Sequence, residues 1–339
     1  MRQILITPEI KAMAQEYANN LFKDKKRNFV QPVTALNNLI IDLKEVNNKL
    51  VDNDKYVKYI KEIIKDFAKL KNLHPDSFDS YKTKYDGILD ESFLSTPIKF
   101  RKISLPTKRK ERKKLKTTNG VFYEVIVDRM RYDAARLYLG PYMKAIGINT
   151  CVYCNNTKAT YSEKRKEVYY PFDHGKPKSK YPFLSICFYN LYPCCSNCNG
   201  HKLDDEEVDF QLYIGAEPMN DSFVFEIDRS KIEEDNPNTI DVRFKARLSV
   251  DDELAEKYDG CFRINDLYNS EDEKRSSYKM LKQIDKYRAS YPVATAASVS
   301  VSVRKELFLE VLGVEDNELI YTDVNKKLKL DTAKDAKLI

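Results

Sequence analysis

The chain has 339 residues, of which 42% are hydrophobic, including 23 Tyr and 16 Phe. This composition excludes a disordered chain, and the length predicts two or three folded units. The formal net charge of +6 arises from 58 Lys+Arg against 52 Asp+Glu, so total charge favours a nucleic-acid partner only weakly. No stretch approaches the ~20 apolar residues that span a bilayer, and charges interrupt the N-terminal residues early. We therefore expect a cytoplasmic protein with no membrane segment.

The N-terminal part is predicted to be helical. Residues 7–22 open with Thr-Pro-Glu, a helix start signal, and place Ile10, Met13, Ala14 and Tyr17 on one face. Two further helical patterns occupy residues 32–46 and 54–70. We expect a helical unit over residues 1–98 that carries no chemistry.

A basic run follows this unit. Residues 99–116 contain ten Lys or Arg and one acidic residue, Glu111. Such a run is either a solvated linker or an arm that contacts phosphates, and both interpretations stay open. We assign residues 99–120 to a basic linker.

The rest of the chain mixes helical and strand patterns. Residues 122–148 are predicted to form one long helix, with a break near Gly140-Pro141, that leads into Cys151. Further downstream, the predicted strands are 223–227 and 239–250, and the predicted helices are 271–291 and 302–314. We therefore expect an α+β, mainly α chain with a central module over residues 121–215 and an α+β C-terminal unit over residues 216–339.

Four of the seven cysteines form two Cys-x-x-Cys pairs, Cys151 with Cys154 and Cys195 with Cys198. Each such turn directs two thiolates to one point, and four thiolates form the tetrahedral site that zinc prefers. A redox pair is the main alternative for either pair alone, but it does not explain two pairs. We predict a structural Zn²⁺ held by these four cysteines.

The 40 residues between the pairs are predicted to form a strand, a basic loop and a second strand, and a helix follows Cys198. The polar residues of this region are Asp173 and His174 at the end of the first strand, Lys176, Lys178 and Lys180 in the loop, and Asn199, His201 and Lys202 at the helix start. The loop lysines, His201 and Lys202 are candidate phosphate contacts. Lysines in such loops are also commonly just solvated.

Phosphodiester hydrolysis requires a base that activates water and a hard divalent cation that stabilises the developing charge. His174 suits the first task near neutral pH. Asp173 and Asn199 offer the oxygen ligands that Mg²⁺ or Mn²⁺ prefers. Because successive strand residues point to opposite faces, Asp173 and His174 can share one site only if the strand end is kinked. The structural alternative is a histidine that is hydrogen-bonded in the core.

The order of these motifs in residues 151–202 resembles the zinc-clipped branch of the HNH endonucleases, the ββα-metal nucleases: Cys-x-x-Cys, Asp-His, Asn-Leu, then Cys-x-x-Cys-Asn-x-x-Lys. The resemblance implies that His174 is the general base and that Asp173 and Asn199 hold the catalytic cation. It also implies that Asn190 braces the two strands. Because His201 lies two residues beyond Asn199, either of them can complete the cation site.

The flanking segments 147–155, 181–185 and 188–199 are similar to bacterial HNH proteins encoded beside ATPases in antiphage systems such as Septu. This narrower resemblance implies a partner ATPase that gates the nuclease. We expect a metal-dependent nuclease that nicks or cuts DNA. Two alternatives stay open: an RNase that uses the same site, and a zinc-dependent nucleic-acid-binding or adaptor protein without catalysis.

Overall fold

A computed structural model describes residues 3–25, 28–103, 115–202, 210–216, 222–233, 235–290, 301–314 and 319–336. Within these residues the fold is α+β and mainly helical, as the sequence predicts. The strands are short and pair two by two. Every helix in the described part of the chain is too short or too polar to cross a membrane.

The helices and strands of the described residues are numbered in chain order. The helices are α1 (Pro8–Asn20), α2 (Pro32–Val46), α3 (Asn53–Leu70), α4 (Phe78–Asp86), α5 (Phe122–Arg129), α6 (Tyr132–Ala135), α7 (Gly140–Ile146), α8 (Ser196–Lys202), α9 (Asp252–Phe262), α10 (Ile264–Tyr268), α11 (Glu271–Ser290), α12 (Val301–Leu312) and α13 (Lys326–Asp335). The strands are β1 (Ile4–Leu5), β2 (Pro97–Arg101), β3 (Thr117–Val121), β4 (Tyr161–Ser162), β5 (Glu167–Val168), β6 (Phe172–His174), β7 (Leu191–Pro193), β8 (Tyr213–Ile214), β9 (Phe223–Ile227) and β10 (Val242–Ala246).

The three N-terminal helices that the sequence predicts are confirmed as α1 to α3, and α4 is an addition to them. The Thr7 side chain caps α1 by accepting a hydrogen bond from the Ile10 amide at 3.3 Å. Both ends of the segment that we assigned to a linker are strands, because β2 and β3 form an antiparallel hairpin. Arg101 of this hairpin is buried and ion-paired with Asp42 at 2.8 Å. Residues 104–114, most of the basic run, lie outside the described residues.

The expectation of one long lead-in helix is wrong, since residues 122–146 form three helices, α5, α6 and α7. Arg131 has a φ of +64°, which lies in the left-handed region and ends the helical path. Pro141 lies in the first turn of α7, where its missing amide hydrogen breaks no hydrogen bond. The turn at Arg131 brings Tyr132 onto β6, where its hydroxyl donates to the Phe172 carbonyl at 2.7 Å.

In the central segment, β6 and β7 pair antiparallel with Asp173 opposite Tyr192 and His174 opposite Leu191, and α8 follows. The sequence pattern predicts the second strand over residues 185–195, and β7 is much shorter because residues 188–190 form a 3-10 turn before it. The C-terminal strands β9 and β10 and the helices α11 and α12 occur where the sequence predicts them, with β10 shorter than its pattern.

Both ends of the chain pack directly on this central segment. β1 pairs parallel with β8, and the buried Tyr17 hydroxyl donates to the Ile186 carbonyl at 3.1 Å. From the C-terminal side, the ring of Phe262 in α9 stacks on Tyr153 with centroids 4.5 Å apart. The position of the central segment therefore depends on helices from both halves of the sequence.

Candidate functional site

The four cysteines of the two Cys-x-x-Cys pairs come together in one cluster. The sulfur atoms of Cys151, Cys154, Cys195 and Cys198 all lie within 4.8 Å of one another. A tetrahedral zinc with Zn–S bonds of about 2.3 Å places its sulfurs roughly 3.8 Å apart, so this donor set fits zinc or a similar metal.

The first cysteine pair is anchored by residues far away in sequence. Asn155, directly after the pair, has a φ of +53° and donates its side-chain amide to the carbonyls of Ile320 and Asp323 at 3.0 and 3.1 Å. The hydroxyl of Tyr268 donates to the Cys154 carbonyl at 2.8 Å. The C-terminal segments therefore fix the backbone that presents Cys151 and Cys154.

A cleft of about 450 Å³ lies between α6, β6 and α8. The residues that line it include Asp133, Arg136, Asp173, His174, Lys178 and Asn199. Three of these residues, Asp173, His174 and Asn199, are the predicted base and oxygen ligands. Asp173 and His174 are neighbours in β6, and both are among the residues that line the cleft.

His174 is 6% exposed and is held on two sides. Its Nε2 lies 3.1 Å from the Ser185 carbonyl oxygen, and its ring packs on Tyr132 with centroids 4.6 Å apart. A carbonyl only accepts, so Nε2 carries the proton in the neutral ring and Nδ1 is the basic nitrogen. Burial lowers the pKa of His174 to about 4, so the imidazole is neutral at pH 7.

Asp173 is also buried, at 8% exposure, and its carboxylate has two close partners. The Tyr153 hydroxyl donates to its Oδ2 at 2.5 Å, and the Lys202 ammonium lies 2.8 Å from the same oxygen. The Lys202 ammonium also donates to the His174 carbonyl at 2.8 Å. The backbone and the carboxylate at the end of β6 are thus tied to α8.

Asn190 holds the loop that follows His174. Its Oδ1 accepts from the Lys176 amide at 2.6 Å, and its Nδ2 donates to the Lys176 carbonyl at 3.2 Å. The Gly175 amide donates to the Asn190 carbonyl at 2.8 Å. A Cβ atom on Gly175 would overlap the Tyr192 ring, so this tight approach requires glycine.

Of the predicted phosphate contacts, Lys178 lines the cleft, and the other four residues lie elsewhere. Lys178 is exposed and lines the cleft. Lys176 packs over the Tyr181 ring, and the Lys180 ammonium lies 3.5 Å from Glu91. Lys202 is 3% exposed beneath Asp173. His201 is not among the described residues that line the cleft, and its Nδ1 is buried without a hydrogen bond within the described part of the chain.

Sequence reasoning missed three residues that shape this site. Tyr132 and Arg136 reach the cleft from α6 and the turn after it, and Tyr153 contacts Asp173 from inside the first cysteine pair. Tyr132 and Arg136 lie in residues 122–148, which the sequence predicts as one long helix without site residues. For Tyr153 the sequence did contain a signal, because a residue between Cys151 and Cys154 must lie close to the cysteine cluster.

Comparison with known proteins found no family model, no curated protein and no solved structure that matches the chain. The resemblance of residues 151–202 to the HNH endonucleases therefore stays a prediction from the motif. The described structure adds an α+β fold and a four-cysteine cluster that can hold a metal such as zinc.

Proposed function

We propose that this protein is a metal-dependent endonuclease that hydrolyses phosphodiester bonds of DNA. The observation that carries the proposal is the meeting of Asp173, His174 and Asn199 in one cleft, next to a cysteine cluster that shares α8 with Asn199. A neutral, buried imidazole and two oxygen donors form the set that water activation beside a hard cation requires.

In this proposal His174 acts as the general base. Its Nδ1 takes a proton from a water molecule, while the Ser185 carbonyl holds the ring in the tautomer that leaves Nδ1 basic. The water attacks phosphorus in line, and the bond from phosphorus to the 3′ oxygen breaks. A divalent cation, Mg²⁺ or Mn²⁺, held by Asp173 and Asn199 would stabilise the charge on the phosphorane and on the departing oxygen.

The cations at the cleft mouth are suited to the DNA backbone. Lys178 and Arg136 both line the cleft, and the Arg136 side chain is 37% exposed. Contacts of this kind neutralise phosphates without reading bases, so binding should be independent of sequence and should weaken with salt. Lys176, Lys180 and Lys202 are engaged elsewhere, and we assign them no phosphate contact.

The direct test is cleavage of supercoiled plasmid by the purified, zinc-loaded chain with Mg²⁺ or Mn²⁺. We expect relaxed circles that EDTA abolishes and that His174→Ala abolishes while its zinc content is unchanged. His74→Ala is the matched control, because His74 lies outside the cleft and is partly exposed. An active His174→Ala variant would contradict the assigned base.

The alternative functions give distinct results in the same assay. A structured RNA that is cut while plasmid stays intact would make the protein an RNase. Plasmid binding without cleavage of either substrate, unchanged in His174→Ala, would indicate a zinc-dependent nucleic-acid-binding or adaptor protein. The partner ATPase implied by the flanking resemblance belongs to the proposal as a gate, and activity that appears only on adding such an ATPase would support it.

A further inference from the structure

We infer that Tyr153 is a positioning residue for the proposed cation site. Together with Lys202 it holds one carboxylate oxygen of Asp173, leaves the other oxygen for the divalent cation, and thereby couples the cysteine cluster to the cleft. This inference rests on the proposed function, because it concerns the cation that Asp173 would hold.

The geometry of the two contacts carries the first step. The Tyr153 hydroxyl and the Lys202 ammonium both approach Oδ2, at 2.5 and 2.8 Å. Within the described part of the chain, neither contact falls on Oδ1. In this inference Asp173 binds the cation through Oδ1, the oxygen that carries neither contact, and so acts as a single-oxygen ligand. Mg²⁺ favours such a ligand in its octahedral shell.

Burial makes these contacts effective. Lys202 is 3% exposed and Tyr153 is fully buried, so little water competes for the Asp173 carboxylate. Hydrogen bonds to a charged group are stronger than neutral ones and fix orientation. A phenol hydroxyl that donates to a buried carboxylate therefore restricts its rotation, whereas an exposed carboxylate turns freely.

The position of Tyr153 in the sequence supplies the coupling. Tyr153 lies between Cys151 and Cys154, so the backbone that presents two sulfurs to the metal also presents the hydroxyl to Asp173. The Tyr258 hydroxyl donates to the Tyr153 carbonyl at 2.7 Å, and the Phe262 ring stacks on the Tyr153 ring. Lys202 lies on α8, which also carries Cys198 and Asn199. Both halves of the cluster thus reach the same carboxylate.

The test is Mn²⁺ binding by the full, zinc-loaded chain, followed through loss of the free-ion electron paramagnetic resonance signal. Tyr153→Phe removes one hydroxyl and keeps the stacked ring, so the fold should persist. Loss of a residue that orients a metal ligand typically costs ~10–100-fold in metal affinity, and we expect a Mn²⁺ Kd raised by that factor. Tyr169→Phe is the matched control, because Tyr169 is 55% exposed and lies outside the cleft.

Two further readouts separate positioning from a merely structural role. Zinc content of Tyr153→Phe should match that of the wild type, and its melting temperature should fall by only a few degrees, because a single buried hydrogen bond is lost. The plasmid-nicking rate should approach the wild-type rate at saturating Mn²⁺, with the half-saturating concentration raised by the same factor as the Kd.

The outcomes distinguish this inference from the proposed function. A folded Tyr153→Phe chain that binds Mn²⁺ as tightly as the wild type would overturn the inference and leave the nuclease proposal standing. Wild-type protein that binds Mn²⁺ without cleaving nucleic acid would overturn the nuclease proposal, and the Kd ratio would still decide the inference. Wild-type protein that binds no Mn²⁺ would overturn both.

Discussion

The two halves of the cysteine cluster are built in different ways. The first pair, Cys151 and Cys154, is buried, and side chains of α9 and α10 donate to its backbone carbonyls. The side chain of Asn155, directly after the pair, donates to the Ile320 carbonyl. In the second pair, Cys195 directly precedes α8 and Cys198 lies in its first turn, and the hydrogen bonds around these two residues are local. The Asn199 amide donates to the Cys195 carbonyl at 3.0 Å, and the Cys198 amide donates to the Cys195 sulfur at 3.4 Å.

Long-range hydrogen bonds therefore hold the backbone of one half of the cluster, and local hydrogen bonds hold the backbone of the other half. The hydrogen bonds within the second pair join residues at most four positions apart, whereas those of the first pair also reach the C-terminal segments. The cleft depends on both, because Tyr153 comes from the first pair and Asn199 and Lys202 from the helix of the second. Four predictions test how far this comparison holds.

The largest effect should follow loss of one cluster sulfur. Cys154→Ser and Cys195→Ser should each lose the bound zinc, because a tetrahedral site needs all four ligands. Metal binding contributes on the order of 10 kcal/mol to folding in structural zinc sites, so we expect the central segment to unfold in both variants. Zinc content and tryptic digestion measure this. Cys261→Ser, in α9 outside the cluster, should keep its zinc, and equal loss there would argue against a specific site.

The next effect should come from Lys202→Met in the second half. This change leaves the buried carboxylate of Asp173 without its cation, and breaking a buried ion pair typically costs about 3–5 kcal/mol. Urea denaturation should show a loss of that size in the free energy of unfolding. The exposed Lys164→Met serves as control and should change it by no more than about 0.5 kcal/mol. A Lys202→Met variant as stable as the control would mean that the pair contributes little.

Asn155→Ala and Asn197→Ala compare the two halves directly. Asn155 loses its bonds to the C-terminal carbonyls, and alanine tolerates the φ of +53° less well than asparagine does. We expect Asn155→Ala to lower the free energy of unfolding by about 3 kcal/mol. Asn197 is exposed in α8, and its replacement should cost less than about 0.5 kcal/mol. An equal decrease in the free energy of unfolding in both variants would contradict the view that long-range hydrogen bonds stabilise the first pair more than the second.

The smallest effect concerns His174, which belongs to neither half. Its pKa is about 4 in the folded chain and about 6.5 when unfolded, so only the unfolded state takes up a proton as the pH falls below 6.5. The free energy of unfolding should therefore fall by about 2 kcal/mol between pH 7 and pH 5 from this group alone. His174→Gln should flatten the measured pH dependence by that amount, whereas His74→Gln should leave it unchanged. A curve unaffected by His174→Gln would place the native pKa near 6.5.

Local sequence signals predicted much of the fold and part of the site. The amphipathic periods of α1 to α3, α11 and α12 and the alternation in β9 and β10 appear where expected, since those patterns reflect one buried face. The cysteine cluster follows from spacing, because each Cys-x-x-Cys turn already directs two sulfurs to one point. The order of Asp173, His174 and Asn199 within that frame was enough to propose one site.

The rest depends on contacts between residues far apart in sequence. The break at Arg131 and the position of Tyr132 on His174 follow from packing against β6, which no local pattern encodes. The sequence predicts Lys202 as a phosphate contact, but in the structure it is buried and ion-paired with Asp173. Local sequence cannot reveal this pairing, because it arises only when the core is assembled. The sequence thus determined which polar side chains are available and which four cysteines form the metal-binding cluster. The tertiary structure decided which of these side chains line the cleft and which ones hold other side chains in position.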